Sequence, residues 1–186
     1  MALEYGTDAW EAAYQEILSK RLQKASKPYM TGTPEWVDTY EKEVQKDETY
    51  KEIAAQWEGT VTLHTIADPS NGMKRDLYIL MDLWHGDCRS MRIVPPEVGE
   101  AADYVISGTA TTFKRLSSNG LDTNKAIMQG KIKLKGDLGT LVRYRNAAER
   151  LGKLSASLKG RNVDDLEREE AKELGRLDEE FAEKLL

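Results

Sequence analysis

His85-Gly86-Asp87-Cys88 brings an imidazole, a carboxylate and a thiol within four residues, the side chains a metal site or an activated cysteine would use. The same tetrapeptide suits a hairpin connection, where His, Gly and Asp occur for backbone reasons, and that is the favoured reading. The only other histidine, His64, falls on the strand face opposite Val61 and Leu63 and has no partner at ligand spacing. No nucleophile elbow, phosphate-cradling loop, dinucleotide-binding glycine pattern or zinc spacing is present, so neither metal nor cofactor is expected. A second grouping is electrostatic. Lys131, Lys133 and Lys135 alternate with Ile132 and Leu134, with Lys125, Arg143 and Arg145 close in sequence. This is a solvated strand face or an anchor for a carboxylate, a phosphate or an anionic membrane.

The elements around these groups follow from periodicity. Thr7 or Asp8 can cap a helix with Trp10, Tyr14, Ile17, Leu18 and Arg21 or Leu22 on one face. Thr33-Pro34 opens a second helix, with Val37, Tyr40 and Val44 inward, and Glu48 to Gln56 forms a third. The period then drops to two. Val61, Leu63 and Thr65 share one strand face, and Leu77, Ile79, Met81 and Leu83 share one face of the next. Asp68-Pro69-Ser70-Asn71-Gly72 links them as a turn, and Met91 and Ile93 alternate with Arg92 in a third strand ended by Pro95-Pro96. An antiparallel meander is the simple expectation. Tyr104 to Ile106 makes a fourth strand, Thr109 to Leu116 a helix, and Lys131 to Lys135 a fifth strand. Asp137 can cap a last domain helix running to Leu158.

The 186 residues suit one domain, and a net charge of −5 argues against nucleic-acid binding. Ten acids against four bases from Asp164 onward give that tail −6, leaving +1 for the rest. Its Leu166, Leu174, Leu177, Phe181 and Leu185 form an apolar stripe that needs a surface; the basic cluster from Lys125 to Arg150 is one candidate, a second subunit another. A lone cysteine, Cys88, fits a reducing cytoplasm, and Met1-Ala2-Leu3-Glu4 does not read as a signal peptide.

In Asp122 to Leu141, DTNKAIMQGKIKLKGDLGTL, a short helix capped by Asp122 and ended by Gly130 is butted onto a strand that Gly136 and Asp137 then break. Together with ADYVISGTATTFKRLSSNG before it, this run resembles the closing section of the sterol carrier protein type 2 family, and the likeness extends back to about Trp57. The resemblance implies an α+β fold: a five-stranded, mainly antiparallel sheet covered by helices around an apolar tunnel. To this the chain adds N-terminal helices (1–51) and an acidic C-terminal helix (161–186) flanking a lipid-binding domain (52–160). It also implies non-enzymatic binding or transfer of a sterol, fatty acid, phospholipid or fatty acyl-CoA, with transient membrane contact and a homodimer left open. The ligand-lining residues expected on that basis are Val61, Leu63, Ile79, Met81, Met91, Ile93, Phe113, Met128, Ile132 and Leu141. On the residues alone a packed core is the favoured reading, which the resemblance reverses for those between sheet and helices. An accessory or catalytic part in a lipid-modifying pathway, and a protein interaction module, are the alternatives.

Overall fold

In a computed structural model, which describes all residues except Met1, Gly72, Asn119, Asp122, Val163 and Asp164, the first helix α1 spans Asp8–Lys24. The Thr7 hydroxyl caps it by accepting the Trp10 N–H at 3.2 Å, and Trp10, Tyr14, Ile17, Leu18 and Arg21 are buried. Helix α2 is Pro34–Lys46; the Thr33 hydroxyl, expected to cap it, donates instead to the Met30 carbonyl at 2.7 Å. Helix α3, Glu48–Ile53, is capped by Asp47, which accepts the Tyr50 N–H at 2.7 Å.

Strands β1 (Glu58–Ile66), β2 (Leu77–Trp84) and β3 (Asp87–Ile93) form the expected antiparallel meander. The meander stops there. β4 (Tyr104–Thr109) pairs parallel to β1, with Leu63 opposite Ile106, and β5 (Lys133–Lys135) adds antiparallel beyond it, giving the order β3-β2-β1-β4-β5. The prolines explain the change of course: they end β3 and open α4 (Pro96–Glu100), which carries the chain back across the outer sheet face. Gly99 lies so close to the Tyr78 ring that a β-carbon there would come within 2.6 Å of it. Tyr78, Leu80, Val94, Ala102 and Val105 fill this outer layer.

The edge strand β3 is covered by helices rather than left to pair with another chain. Glu41 accepts the Met91 N–H at 2.7 Å, the Tyr14 hydroxyl accepts the Ile93 N–H at 3.3 Å, and Gln45 donates to the Cys88 carbonyl at 3.0 Å. Arg92 binds Glu11 of α1 and Glu41 of α2, each at 2.8 Å.

Over the other sheet face run α5 (Ala110–Ser117), α6 (Thr123–Met128), α7 (Leu138–Arg143) and α8 (Arg145–Ser157). The cap expected at Asp122 lies outside the described residues. Asp137 caps α7, accepting the Thr140 N–H at 2.9 Å. The single helix expected to Leu158 is instead two, divided at Tyr144, whose ring packs edge-on against Trp57 at 5.2 Å. Helix α8 is fastened outward: the Tyr40 hydroxyl donates to the Leu151 carbonyl at 2.9 Å, and the Arg150 guanidinium takes both oxygens of Asp47, at 2.9 and 2.5 Å.

The acidic tail forms α9 (Arg168–Leu185) and lies on α1, which corrects the expectation of a landing site at Lys125 to Arg150. The two stripes match in chemistry as well as shape. Leu174, Leu177, Phe181 and Leu185 are buried, Phe181 meets Tyr14 edge-on at 5.5 Å, and Trp10 donates to the Leu185 carbonyl at 3.2 Å. At the centre Arg21, fully buried, binds Glu35 of α2 at 2.5 and 3.2 Å and Asp178 of α9 at 2.7 Å. Lys24 pairs with Glu173 at 2.5 Å alongside. Among the described residues no helix is long and apolar enough to cross a membrane.

Two predictions test these anchors. Glu35→Ala leaves the buried guanidinium with Asp178 as its one carboxylate partner and should lower the unfolding free energy by about 3 kcal/mol in urea titration, whereas the double change Arg21→Met with Glu35→Leu should cost less than Glu35→Ala alone. Arg150 holds the Asp47 carboxyl below its ordinary value against the opposing effect of burial, with the Tyr50 N–H assisting. The folded carboxyl therefore gives up its proton more readily than the unfolded one. Its contribution is complete at neutral pH and is lost as pH falls below the ordinary aspartate value of about 4. Asp47→Ala should cost about 1 kcal/mol at pH 7, and less as the pH drops through that range.

Candidate functional site: a cavity between sheet and helices

Alternation in the strands sends Val61, Leu63 and Thr65 of β1 and Leu77, Ile79 and Met81 of β2 to the side facing α5 to α8, joined by Ile106 of β4. Opposite them stand Phe113 and Leu116 of α5, Leu138 and Leu141 of α7, and Ala147 and Leu151 of α8. Floor and roof are bridged where Trp57 meets Tyr104 and Tyr144, and part elsewhere. Between them lies a cavity of about 1860 Å³, larger than the roughly 300–1,000 Å³ typical of drug-sized ligand sites.

Its walls are aromatic. Trp36 and Tyr40 of α2 and Tyr50 of α3 close one side, while Trp57, 4.9 Å from Tyr104 and 5.2 Å from Tyr144, stands between sheet and roof. Burial pushes the Tyr40 and Tyr50 phenols well above their usual range, so both stay neutral. Phe181, Ala182 and Leu186 from the C-terminal helix complete another wall, where Arg75, Arg161 and Asp178 supply polar groups. Sequence reasoning missed these contributions. The spacing of Trp36 and Tyr40 marks a shared helix face, but nothing local says what that face meets.

Of the residues expected to line a tunnel, Val61, Leu63, Ile79, Met81, Ile93, Phe113, Ile132 and Leu141 stand on the cavity wall. Met91 does not: it is buried beneath α2, which packs directly on β3. Met128 points away altogether and is 87% exposed. The inward residue of six-residue α6 is Ala126, whose carbonyl accepts the N–H groups of Lys131 and Ile132. Met128 follows two residues later, about 200° round the helix.

The His-Gly-Asp-Cys run resolves into a turn. His85 (φ 48°) and Gly86 (φ 86°) are the two central residues of the β2–β3 hairpin, and a β-carbon at Gly86 would strike the Lys51 carbonyl oxygen. The His85 ring bonds Glu58 at 2.7 Å, while Cys88 is buried and its thiol is pushed up to about 12 by burial. The three side chains are not gathered, and no cluster of three or more His, Cys, Asp or Glu suits a metal among the described residues.

His64 has hydrogen-bond partners that no spacing in the sequence marks: Ser107 Oγ at 2.9 Å and Asp76 Oδ2 at 2.7 Å, with the ring stacked on Tyr78 at 4.3 Å. A Ser–His–Asp chain invites comparison with acyl-transfer sites, which also need free N–H donors beside the serine. Ser107 sits mid-strand, in ladder register with His64 on one side and Lys133 on the other. Asp76 also accepts the Ala67 N–H at 2.8 Å, so the chain ties the β1–β2 connection to β4.

This order of elements around a sheet-and-helix cavity has known relatives. A sequence model of the SCP-2 sterol transfer family matches residues 37–149. A crystal structure of sterol carrier protein 2 aligns with 33% identity over 65% of this chain and 93% of that one, with a TM-score of 0.58. The solution structure of a conserved hypothetical protein from Thermus thermophilus, described as possibly a sterol carrier protein, aligns with 32% identity over 68% and 88%, with a TM-score of 0.59. No curated protein matches the chain. The chain belongs to the SCP-2 sterol transfer family. Helices α1 and α9 lie outside the matched residues.

The space above the sheet has a direct test. Ile106 is half-buried on the cavity floor. In a close-packed core Ile106→Trp would cost about 1–3 kcal/mol; here it should change thermal stability little while lowering the capacity for a long apolar ligand.

Proposed function

We propose that the chain is a carrier that holds a long apolar lipid, whether sterol, fatty acid, phospholipid or fatty acyl-CoA, in this cavity and performs no chemistry on it. The observation that carries the reading is the apolar cavity of about 1860 Å³ between sheet and roof, within a chain of this family. Val61, Leu63, Ile79, Met81, Ile93, Phe113, Ile132 and Leu141 would be its contacts. Transfer of a lipid chain from water gains about 25 cal/mol per Å², which for a long chain offsets the cost of association without any reactive group. The Arg75 side chain on the cavity wall suits a ligand with one polar end. The unpaired, buried Cys88 is in keeping with a reducing cytoplasm as its place of work.

The test is twofold. Native mass spectrometry of the purified protein should reveal co-purified lipid, and a fluorescent fatty acid or sterol analogue should bind saturably at micromolar strength or better. Ile79→Asp, which sets a carboxylate on the apolar floor, should abolish that binding. Folded protein that binds no lipid class saturably overturns the proposal.

A further inference from the structure

Large apolar side chains on α6 and α7 stand out into solvent: Ile127 is 37% exposed, Leu138 55%, Val142 74% and Met128 87%. Ile127, Leu138 and Val142 also line the cavity, so they form its rim, with Met128 next to Ile127 just outside. The flank of this rim is basic. Residues 123–145 hold six Lys or Arg against one acid, a net of +5 in a chain of net −5. That acid, Asp137, is engaged as the cap of α7. On α8, Glu149 faces Arg145 at 3.6 Å, and Lys135 donates to the Glu100 carbonyl. Lys131, Lys133 and Arg143 project exposed beside the apolar rim.

We propose that this rim is the surface by which the protein docks on an anionic membrane, its apolar side chains entering between the headgroups so that the cavity faces the bilayer. The proposal rests on the carrier reading above. Soluble proteins seldom leave clustered large apolar side chains in water without a use for them. A bilayer accepts any convex apolar edge, whereas a protein partner must supply a shaped groove. The local charge, opposite to that of the chain as a whole, selects the sign of the lipid and the face that approaches it.

The experiment is flotation of the full chain with vesicles of phosphatidylcholine alone, or with about 30 mol % phosphatidylserine. Fluorescent fatty-acid binding is measured separately, without vesicles. The wild type should bind the anionic vesicles more tightly, and less so as salt rises. Met128→Asp should weaken that binding at least about tenfold. Lys131→Gln, Lys133→Gln and Arg143→Gln together should markedly reduce its salt dependence. None of these residues lines the cavity, so fatty-acid binding and thermal stability should hold. Vesicle binding unchanged by Met128→Asp overturns the docking surface; should that variant fail to fold, Met128→Ser is judged on the same criterion. A wild type that ignores anionic vesicles but binds the fatty acid also overturns it, and leaves the rim to a protein partner. Intact vesicle binding without fatty-acid binding overturns the carrier reading and not the docking.

Discussion

Helix α8 is held from the side, by Tyr40 and Asp47, at a height above the sheet that the sheet itself does not set. An apolar sheet face ordinarily draws its covering helix into close contact, because each buried Leu, Ile or Met side chain contributes about 1.5–3 kcal/mol. That happens at the β3 edge, where α2 lies on Met91 and the protein has an ordinary core. Over β1 and β4 it does not. The aromatic cluster of Tyr104, Trp57 and Tyr144 occupies the gap at one point, and the anchors on α2 and α3 keep α8 from sinking elsewhere. A ligand cavity survives because polar bonds at the roof's outer side oppose the collapse that apolar burial favours.

Those anchors are only as firm as α2, and α2 is held by the pair of helices outside the family match. Arg21 reaches Glu35 near the start of α2 and Asp178 on α9, so one buried guanidinium joins three elements far apart in sequence. The acidic composition of the tail acquires a physical meaning here. Glu173, Asp178 and Glu180 meet Lys24, Arg21 and Lys20, while the apolar stripe between them meets Tyr14 and Trp10. The same helix, with the Leu186 that follows it, then presents Phe181 and Ala182 to the cavity. Its contribution to the site is a wall, and its contribution to the frame is a clasp.

The strand faces were legible because a period of two fixes sidedness residue by residue: the set Val61, Leu63, Ile79 and Met81 is the set beneath the roof. His85-Gly86 was legible as a turn because a two-residue hairpin demands positive φ at both positions. The position of β4 was not legible, since Tyr104 to Ile106 reads the same whether it pairs antiparallel to β3 or parallel to β1. That choice is made by the crossover on α4 and by Gly99 against Tyr78, contacts remote in sequence. Met128 was misplaced because a six-residue helix contains too few turns for its periodicity to identify a face. Whether Leu63 and Ile79 form core or cavity wall lay beyond any local pattern, because the answer depends on how far away α8 is held.

The roof helices are unequally held. Helix α8 is fixed by a bidentate ion pair and a buried tyrosine, and α9 by a buried arginine and four buried apolar side chains. Helix α7 buries no residue completely, and α6 buries only Ala126 among its described side chains. Local opening follows the weakest packing, so the roof yields first over α6 and α7. Exposed Leu138 and Val142 lose little by moving, since they already stand in water. On the carrier reading, a lipid leaving by that route would pass between the side chains that gain most from contact with other lipid. On the proposed docking, entry and exit would be easiest against a bilayer and costly in bulk water, where an open roof would expose the apolar floor as well.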